Sequence, residues 1–380
     1  MRGIVSVQAA TSYDEAVMDA CVAGHFELLR LDELLRPDMR VTIKPNLLMK
    51  RRPEEGTTTH PALVAAIIRR LQKAGVTQIT LADSPGGLYN HPQLTAIYRA
   101  TGMEAVAEQT GAQLNLALES QNLSCPSPAL CRSFPIIQPV AEADLVISVC
   151  KLKTHCMAGL SGGVKNLFGC IPGLTKPDFH WRYPDPEDFC SMLVDLCETV
   201  KPAITFCDAV ISMEGDGPSS GQLRPTGMTL CSRSPYALDM ALCQVIGRDP
   251  EEILTVKEAA SRGLGPAGPQ EVELVGDPLQ CYPDFRRPRT VSMDFLSKVP
   301  GVLRPVVRPL VDRFLTTRPR IDHKRCVGCG KCAESCPAHT ITLRDGKAWI
   351  DDSKCIRCYC CHEMCPIRAI HVKQNRLLRL

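Results

Sequence analysis

The chain writes Cys-x2-Cys-x2-Cys-x3-Cys-Pro twice: CVGCGKCAESCP starts at Cys326 and CIRCYCCHEMCP at Cys355. Four thiolates at this spacing suit an iron–sulfur cubane. One tight loop delivers three sulfurs with its amides free to face them, and the cysteine before proline leaves that loop to reach the neighbouring cluster. The two repeats therefore complete one another. This interleaving gives Cys326, Cys329, Cys332 and Cys365 to one cluster, and Cys355, Cys358, Cys361 and Cys336 to the other. Zinc is the alternative, but zinc knots join two separated Cys-x2-Cys units and use neither a third cysteine at that spacing nor Cys-Pro. Cys360 lies outside the pattern and reads as a spectator.

The other cysteines are scattered, and most sit inside apolar runs, where cysteine acts as a small buried hydrophobe. Cys156 and Cys170 are the two that flank the densest polar segment. Twenty-one cysteines in 380 residues, with no signal-peptide core ahead of GIVSV, point to a reducing cytoplasm rather than a disulfide framework. No apolar run reaches the roughly 18 residues of a membrane span. A net charge of +3 and 5% aromatic residues give no case for nucleic acid.

Residues 1–282 alternate short β-branched runs with amphipathic ones, a βαβ rhythm that predicts an α/β domain: a mostly parallel sheet with helices on both faces. Strands are expected at 3–7, 40–48, 78–87 (a strand running into a Gly-rich loop), 143–150, 203–211 and 271–277. Helices are expected after an N-cap at Ser12, at 60–75, near 92–110, within 186–200 and over 235–246. Residues 283–318 read as a basic, proline-rich linker and 319–380 as a small α+β domain built around the cysteine repeats. Eleven Lys or Arg against three acids between 286 and 325 make this strip a surface tether, or a docking strip for an acidic partner or the periphery of an anionic membrane.

The densest polar segment, 150–180, follows a buried strand, so it lies at the carboxyl edge where open α/β sheets bind ligands. Lys151, Lys153, His155, Lys165, Asn166, Lys176 and His180 occur there among Ser161, Gly162 and Gly163, with Asp178 as the one acid. Lysines and close-approaching glycine amides suit a small anionic substrate. Other strand ends add Lys44 and Asn46; Thr57, Thr58, Thr59 and His60; Asp83, Ser84, Gly86 and Gly87; and Glu214, Asp216, Ser219 and Ser220. Thr59 is the expected cap of the helix that follows it.

Residues 319–375, with ITLRDGKAWID between the repeats, resemble bacterial two-cluster ferredoxin domains, which implies two 4Fe-4S centres close enough to exchange electrons. Residues 1–280 resemble a widespread prokaryotic family of unknown function. The resemblance rests on Lys44-Pro45-Asn46, Thr58-Thr59-His60-Pro61, Asp83-Ser84-Pro85-Gly86, Lys153-Thr154-His155, Gly163-Val164-Lys165-Asn166 and Glu214-Gly215-x-Gly217-Pro218. It implies the fold and leaves the reaction open. His155, Gly159, Ser161, Gly162, Gly163, Lys165, Pro172 and Gly173 are also similar to a stretch of the nickel-pincer lactate racemase family. That similarity implies His155 as an acid/base, Lys165 as the tether of the pincer and His180 as a nickel ligand. The racemases' Gly-Thr-His-Arg element is absent.

Three functions fit. The first is an iron–sulfur oxidoreductase passing single electrons between a soluble carrier protein and a small anionic substrate, with His155 and Lys165 as catalytic residues. The second is a non-catalytic electron-transfer or cofactor-maturation partner. The third is a racemase-like isomerase with accessory clusters. The expected cofactors are two 4Fe-4S clusters; no clear motif supports flavin, nicotinamide or a nickel pincer.

Overall fold

The structure is a computed structural model that describes residues 3–290 and 317–373. Most of the expected linker, 291–316, lies outside the described residues, and so does 374–380.

The strands of the large domain are β1 (Gly3–Ala9), β2 (Arg40–Pro45), β3 (Gln78–Leu81), β4 (Gln113–Leu114), β5 (Ser120–Ser124), β6 (Ser133–Ile137), β7 (Leu145–His155), β8 (Gly159–Ser161), β9 (Ile204–Glu214), β10 (Gln222–Ser232) and β11 (Val272–Gly276). One sheet runs β11–β1–β10–β9–β7–β2–β3–β4, with β8 paired to β7 and β5–β6 apart as a two-stranded sheet. The main path is parallel except at β10, which is antiparallel to both β1 and β9. The sequence reading lacked β10. Its alternation is interrupted where the register shifts between Pro225 and Met228, and the short connection from Glu214 to Gln222 allows only an antiparallel neighbour.

Helices cover both faces. On one, Met18, Phe26, Leu63, Ile67 and Ile97 pack against Ile43, Ile147 and Phe206. On the other, the helix Pro186–Val200 places Phe189 and Leu193 with Phe134 and Phe168. The helix expected near 92–110 is two, His91–Ala100 and Met103–Thr110, parted at Gly102, whose φ of 79° breaks the helical path. Ser12 is not the first N-cap; Asp14 holds that position and accepts the Ser12 hydroxyl. Thr59 is not a cap either. His60 caps the helix Pro61–Lys73 through the Ala62 N–H, while the Thr59 hydroxyl joins the end of β2 to the middle of β7, accepting from Asn46 N and donating to Val149 O.

The small domain pairs β12 (Arg318–Ile321) with β15 (Ile370–Lys373), and β13 (Ile341–Arg344) with β14 (Lys347–Ile350). Asp345 and Gly346 turn that hairpin with φ of 49° and 69°, the two positive angles a two-residue turn of this hand requires. Helical turns Lys331–Glu334 and Cys360–Glu363 carry Cys332 and Cys361. Among the described residues no helix is long and apolar enough to cross a membrane.

Candidate functional site

The carboxyl ends of β2, β3 and β7 meet in a buried polar chain. Lys44 Nζ pairs with Asp83 Oδ1 at 2.7 Å and donates to Asn166 Oδ1 at 3.0 Å. Asn46 Nδ2 reaches the same Asn166 oxygen, and its own Oδ1 accepts from Lys153 Nζ. Asp83 Oδ2 accepts from Leu47 N, while Ser84 Oγ accepts from Gly173 N and from Lys176 Nζ. A Cβ on Gly169 would stand 2.1 Å from Asp83 Oδ1, so the loop after Asn166 needs glycine there to close over the ion pair. Lys44, Asn46, Asp83, Ser84 and Asn166 therefore do converge, but they spend most of their hydrogen-bonding capacity on one another.

β7 runs farther than expected. It extends to His155 with all eleven residues buried, so Lys151, Lys153 and His155 are strand residues rather than loop residues. Lys151 belongs to a separate network, donating to Tyr13 Oη and Asp208 Oδ2, both at 2.8 Å. His60 stacks on Tyr13 at 3.6 Å and its N–H also binds Asp208. Lys153, donating to Thr57 O and Asn46, is held below the cavity, and burial pushes its ammonium down to about 7. Thr58 is buried, and its hydroxyl has no partner among the described residues.

Several expected ligands serve the fold instead. Glu214 binds Arg224 and Arg286, pinning the segment after β11. Gly163 N and Val164 N donate to Asp239, and a Cβ on Gly162 would meet that carboxylate at 2.1 Å. Ser161 is buried opposite Lys153 in the β7–β8 pair. Lys151, Lys153, His60, Thr58, Ser161, Gly162, Gly163 and Glu214 do not line the cavity.

The acid that answers these cations comes from the cysteine-rich domain. Glu363 Oε2 lies 3.6 Å from His155 Nε2, and its backbone oxygen accepts from Ser219 Oγ at 2.8 Å. Met364 inserts over Gly86, where a Cβ would meet its sulfur at 2.3 Å. Arg51 donates to Cys365 O, and Tyr359 packs on Cys156. The docked domains line a partly open cavity of about 80 Å³ between them. Lys44, Lys165, Lys176, His180 and Asp83 form part of its wall; Ser335, Cys360, Glu363 and Met364 form another. Cys360 is thus no spectator but a wall residue, next in sequence to Cys361.

Electrostatics divide the wall into two kinds of group. Burial would raise the Glu363 carboxyl, but His155, Lys165 and His180 together hold it well below the usual carboxylate range. Burial lowers the Lys165 ammonium, opposed by Glu363; the same nitrogen lies 4.5 Å over the Phe168 ring, a contact that favours the cation. Lys176 is pushed down by burial to about 7. His180 stacks on Phe189 at 4.3 Å, is pushed down to about 3 by burial, and has no partner for its Nδ1 among the described residues. It is a neutral imidazole at pH 7. His155 is placed differently from the expected catalytic role. Its Nδ1 accepts from Met157 N and Ala158 N, so its ring proton sits on Nε2 facing Glu363. It lies outside the cavity wall and faces that carboxylate at 3.6 Å, close enough to favour its negative charge.

The eight repeat cysteines surround two further cavities. One is lined by Cys326, Cys329, Cys332 and Cys365; the other by Cys336, Cys355, Cys358 and Cys361. Amides face the sulfurs: Ala369 N donates to Cys365 Sγ, Thr340 N to Cys336 Sγ and Ala348 N to Cys326 Sγ. Such donors stabilise thiolate charge. Sulfurs spread around a void fit a polynuclear group. Among the described residues no three His, Cys, Asp or Glu are grouped to hold one metal ion.

An α/β domain with an iron–sulfur module docked on the carboxyl edge of its sheet is the class these observations define. The chain belongs to the family described as Domain of unknown function (DUF362), matched over residues 41–244, and residues 318–366 match the 4Fe-4S dicluster domain. It is 28% identical over 318 residues to the Thylakoid-associated protein sll1697 of Synechocystis sp., covering 82% of this chain and 95% of that one. Among solved structures, the lactate racemase apoprotein from Thermoanaerobacterium thermosaccharolyticum is similar with a TM-score of 0.42 and 16% identity, over 65% of this chain and 57% of that one. A protein from Thermotoga maritima is similar with a TM-score of 0.35 and 13% identity, over 54% of this chain and 52% of that one.

Proposed function

We propose that this iron–sulfur protein holds two 4Fe-4S clusters and passes single electrons between a soluble carrier and a small anionic substrate in the interdomain cavity. The carrying observation is the shared wall: Lys165 and Lys176 face a space that Cys360, Glu363 and Met364 close from the cluster side. Cys326, Cys329, Cys332 and Cys365 would hold one cluster, and Cys336, Cys355, Cys358 and Cys361 the other. When bound, they supply one-electron transfer without large rearrangement. Cys360 and Ser335, each next to a cysteine of the second set, put that set beside the cavity.

Within the cavity, Lys165 and Lys176 bind the substrate's negative charge, and Lys44 is held by Asp83 as part of the floor. His180 offers a neutral ring whose Nδ1 can exchange one proton with the substrate. Glu363, oriented by His155, limits the net positive charge and so selects against multiply charged anions. The cysteine load suits a reducing compartment, and we place the chain in the cytoplasm.

The test is anaerobic reconstitution, iron and sulfide analysis, and calorimetry with a panel of small carboxylates. The expected result is about eight iron atoms per chain and carboxylate binding that is lost in Lys165→Met. Zinc in their place, or identical binding by the variant, overturns the reading.

A further inference from the structure

We propose that the solvent side of the Cys326–Cys332 loop is the docking face for a small acidic one-electron carrier protein. This rests on the electron-handling reading above and adds the entry point and the partner's chemistry. Of the eight repeat cysteines Cys329 is the exposed one; Cys326, Cys332 and Cys365 of its own set are buried, and in the other set Cys355 and Cys358 are half-buried and Cys336 and Cys361 buried. Next to Cys329, Val327 is 65% exposed, and Leu343, which reaches the same loop at Gly330, is 49% exposed. Together they place two open apolar side chains beside the exposed thiol of the loop. An apolar centre over a redox group is what a transient electron-transfer contact of under about 1,200 Å² needs.

Charge selects the partner. Lys324, Arg325 and Arg344 are exposed around the loop, and Lys347 beside them donates to Cys326 O. The acids nearby are Asp322, half-buried and capping the Lys324 N–H; Glu334, paired with Lys331 at 2.9 Å; and exposed Asp345. A cluster with four thiolates is itself negative, but it lies behind the loop. The outward bases are what an approaching protein meets first, given a screening length of about 8 Å in physiological salt. Acidic carriers would be steered to this face. One electron leaves the carrier's reduced centre and is taken up behind Val327 and Cys329; no bond forms and no proton need move. The α/β domain packs on the module at Tyr359, Glu363, Met364 and Cys365, and neither Val327 nor Cys329 lines the interdomain cavity.

The test uses the full-length, cluster-loaded protein and a purified acidic flavodoxin. Stopped-flow reduction by the reduced flavodoxin is expected to slow at least tenfold when salt is raised to about 0.3 M. The double variant Lys324→Glu/Arg344→Glu is expected to lose at least tenfold in that rate and in affinity for oxidised flavodoxin by calorimetry. Its reduction by dithionite and its spectrum should be unchanged, and Lys73→Glu on the α/β domain should match wild type. Zero-length carbodiimide cross-linking of wild-type protein should map to Lys324 or Lys347, which decides the matter even if the double variant loads clusters poorly. Wild-type kinetics in the double variant, or cross-links confined to the α/β domain, overturn the proposal. So does flotation with phosphatidylglycerol vesicles that depends on these residues while flavodoxin reduction does not. No substrate is present, so failure here leaves the cavity reading standing, and loss of carboxylate binding leaves this face untouched.

Discussion

Glu363, from the helical turn between Cys361 and Cys365, reaches across the domain boundary to within 3.6 Å of His155 at the end of β7. His155 faces it with an Nε2 proton because two backbone N–H groups occupy its other nitrogen. The carboxylate is thereby held as a fixed negative charge opposite Lys165. It occupies the kind of place that a substrate carboxylate would take.

Replacing that charge should open the site to anions. In Glu363→Gln the shape persists and the Ser219 hydroxyl still has its backbone acceptor. Removing a carboxylate near Lys165 in a partly dry site is worth on the order of 1–2 kcal/mol. Small carboxylates should bind about tenfold more tightly by calorimetry, with iron content unchanged. Weaker binding would mean that Glu363 contacts the ligand favourably instead.

Lys165→Met keeps the aliphatic stem against Phe168 and removes the ammonium. Affinity for a monocarboxylate should fall by about tenfold or more, while cluster reduction by dithionite stays at wild-type rate. An equal loss of both would point to a folding role.

The Lys44–Asp83 pair lies inside the sheet edge with both side chains at most 2% exposed. Asp83→Asn leaves a buried ammonium without its counter-charge. Urea unfolding should show a loss of about 3–5 kcal/mol, and Lys44→Met added to it should recover much of that loss. An Asp83→Asn protein of wild-type stability would show that Asn166 and the Pro45 carbonyl alone suffice for Lys44.

Acid should loosen the α/β domain through a histidine far from the cavity. His25 is sealed between Ser6 Oγ and Thr229 Oγ1, and burial pushes it from 6.5 down to about 3. Its folded pKa is depressed. The neutral ring's contribution is therefore complete above pH 6.5 and is lost as pH falls from there toward 3. Between pH 6.5 and about pH 5 the loss amounts to about 2 kcal/mol. Wild type should lose that much more than His25→Gln over the same range in urea titrations; parallel profiles would remove His25 as the cause.

Much of this architecture is legible in the residues. Alternating β-branched and amphipathic runs mark β2, β3, β7 and β9, and their carboxyl ends do bring Lys44, Asn46, Asp83, Ser84 and Asn166 together. The cysteine spacing marks the module. What escapes is set by long-range pairing. β10 joins the sheet only because β9 precedes it closely in space, and its proline and glycine hide the strand pattern. Lysines on β7 look like loop residues because their partners, Asp208 and Asn46, are remote in sequence. Glu363 lies nearly two hundred residues beyond Lys165, the lysine it answers. A usable signal existed: a basic segment with one acid of its own, in a chain whose second cysteine repeat places His362 and Glu363 between metal-binding positions.

The insertion of Met364 over Gly86 shows that the pocket belongs to neither domain. Without the module, Lys165 and Lys176 would stand at an open ledge flooded by water. A truncated α/β domain is therefore the wrong control for electron supply, because cutting the current also dismantles the vessel.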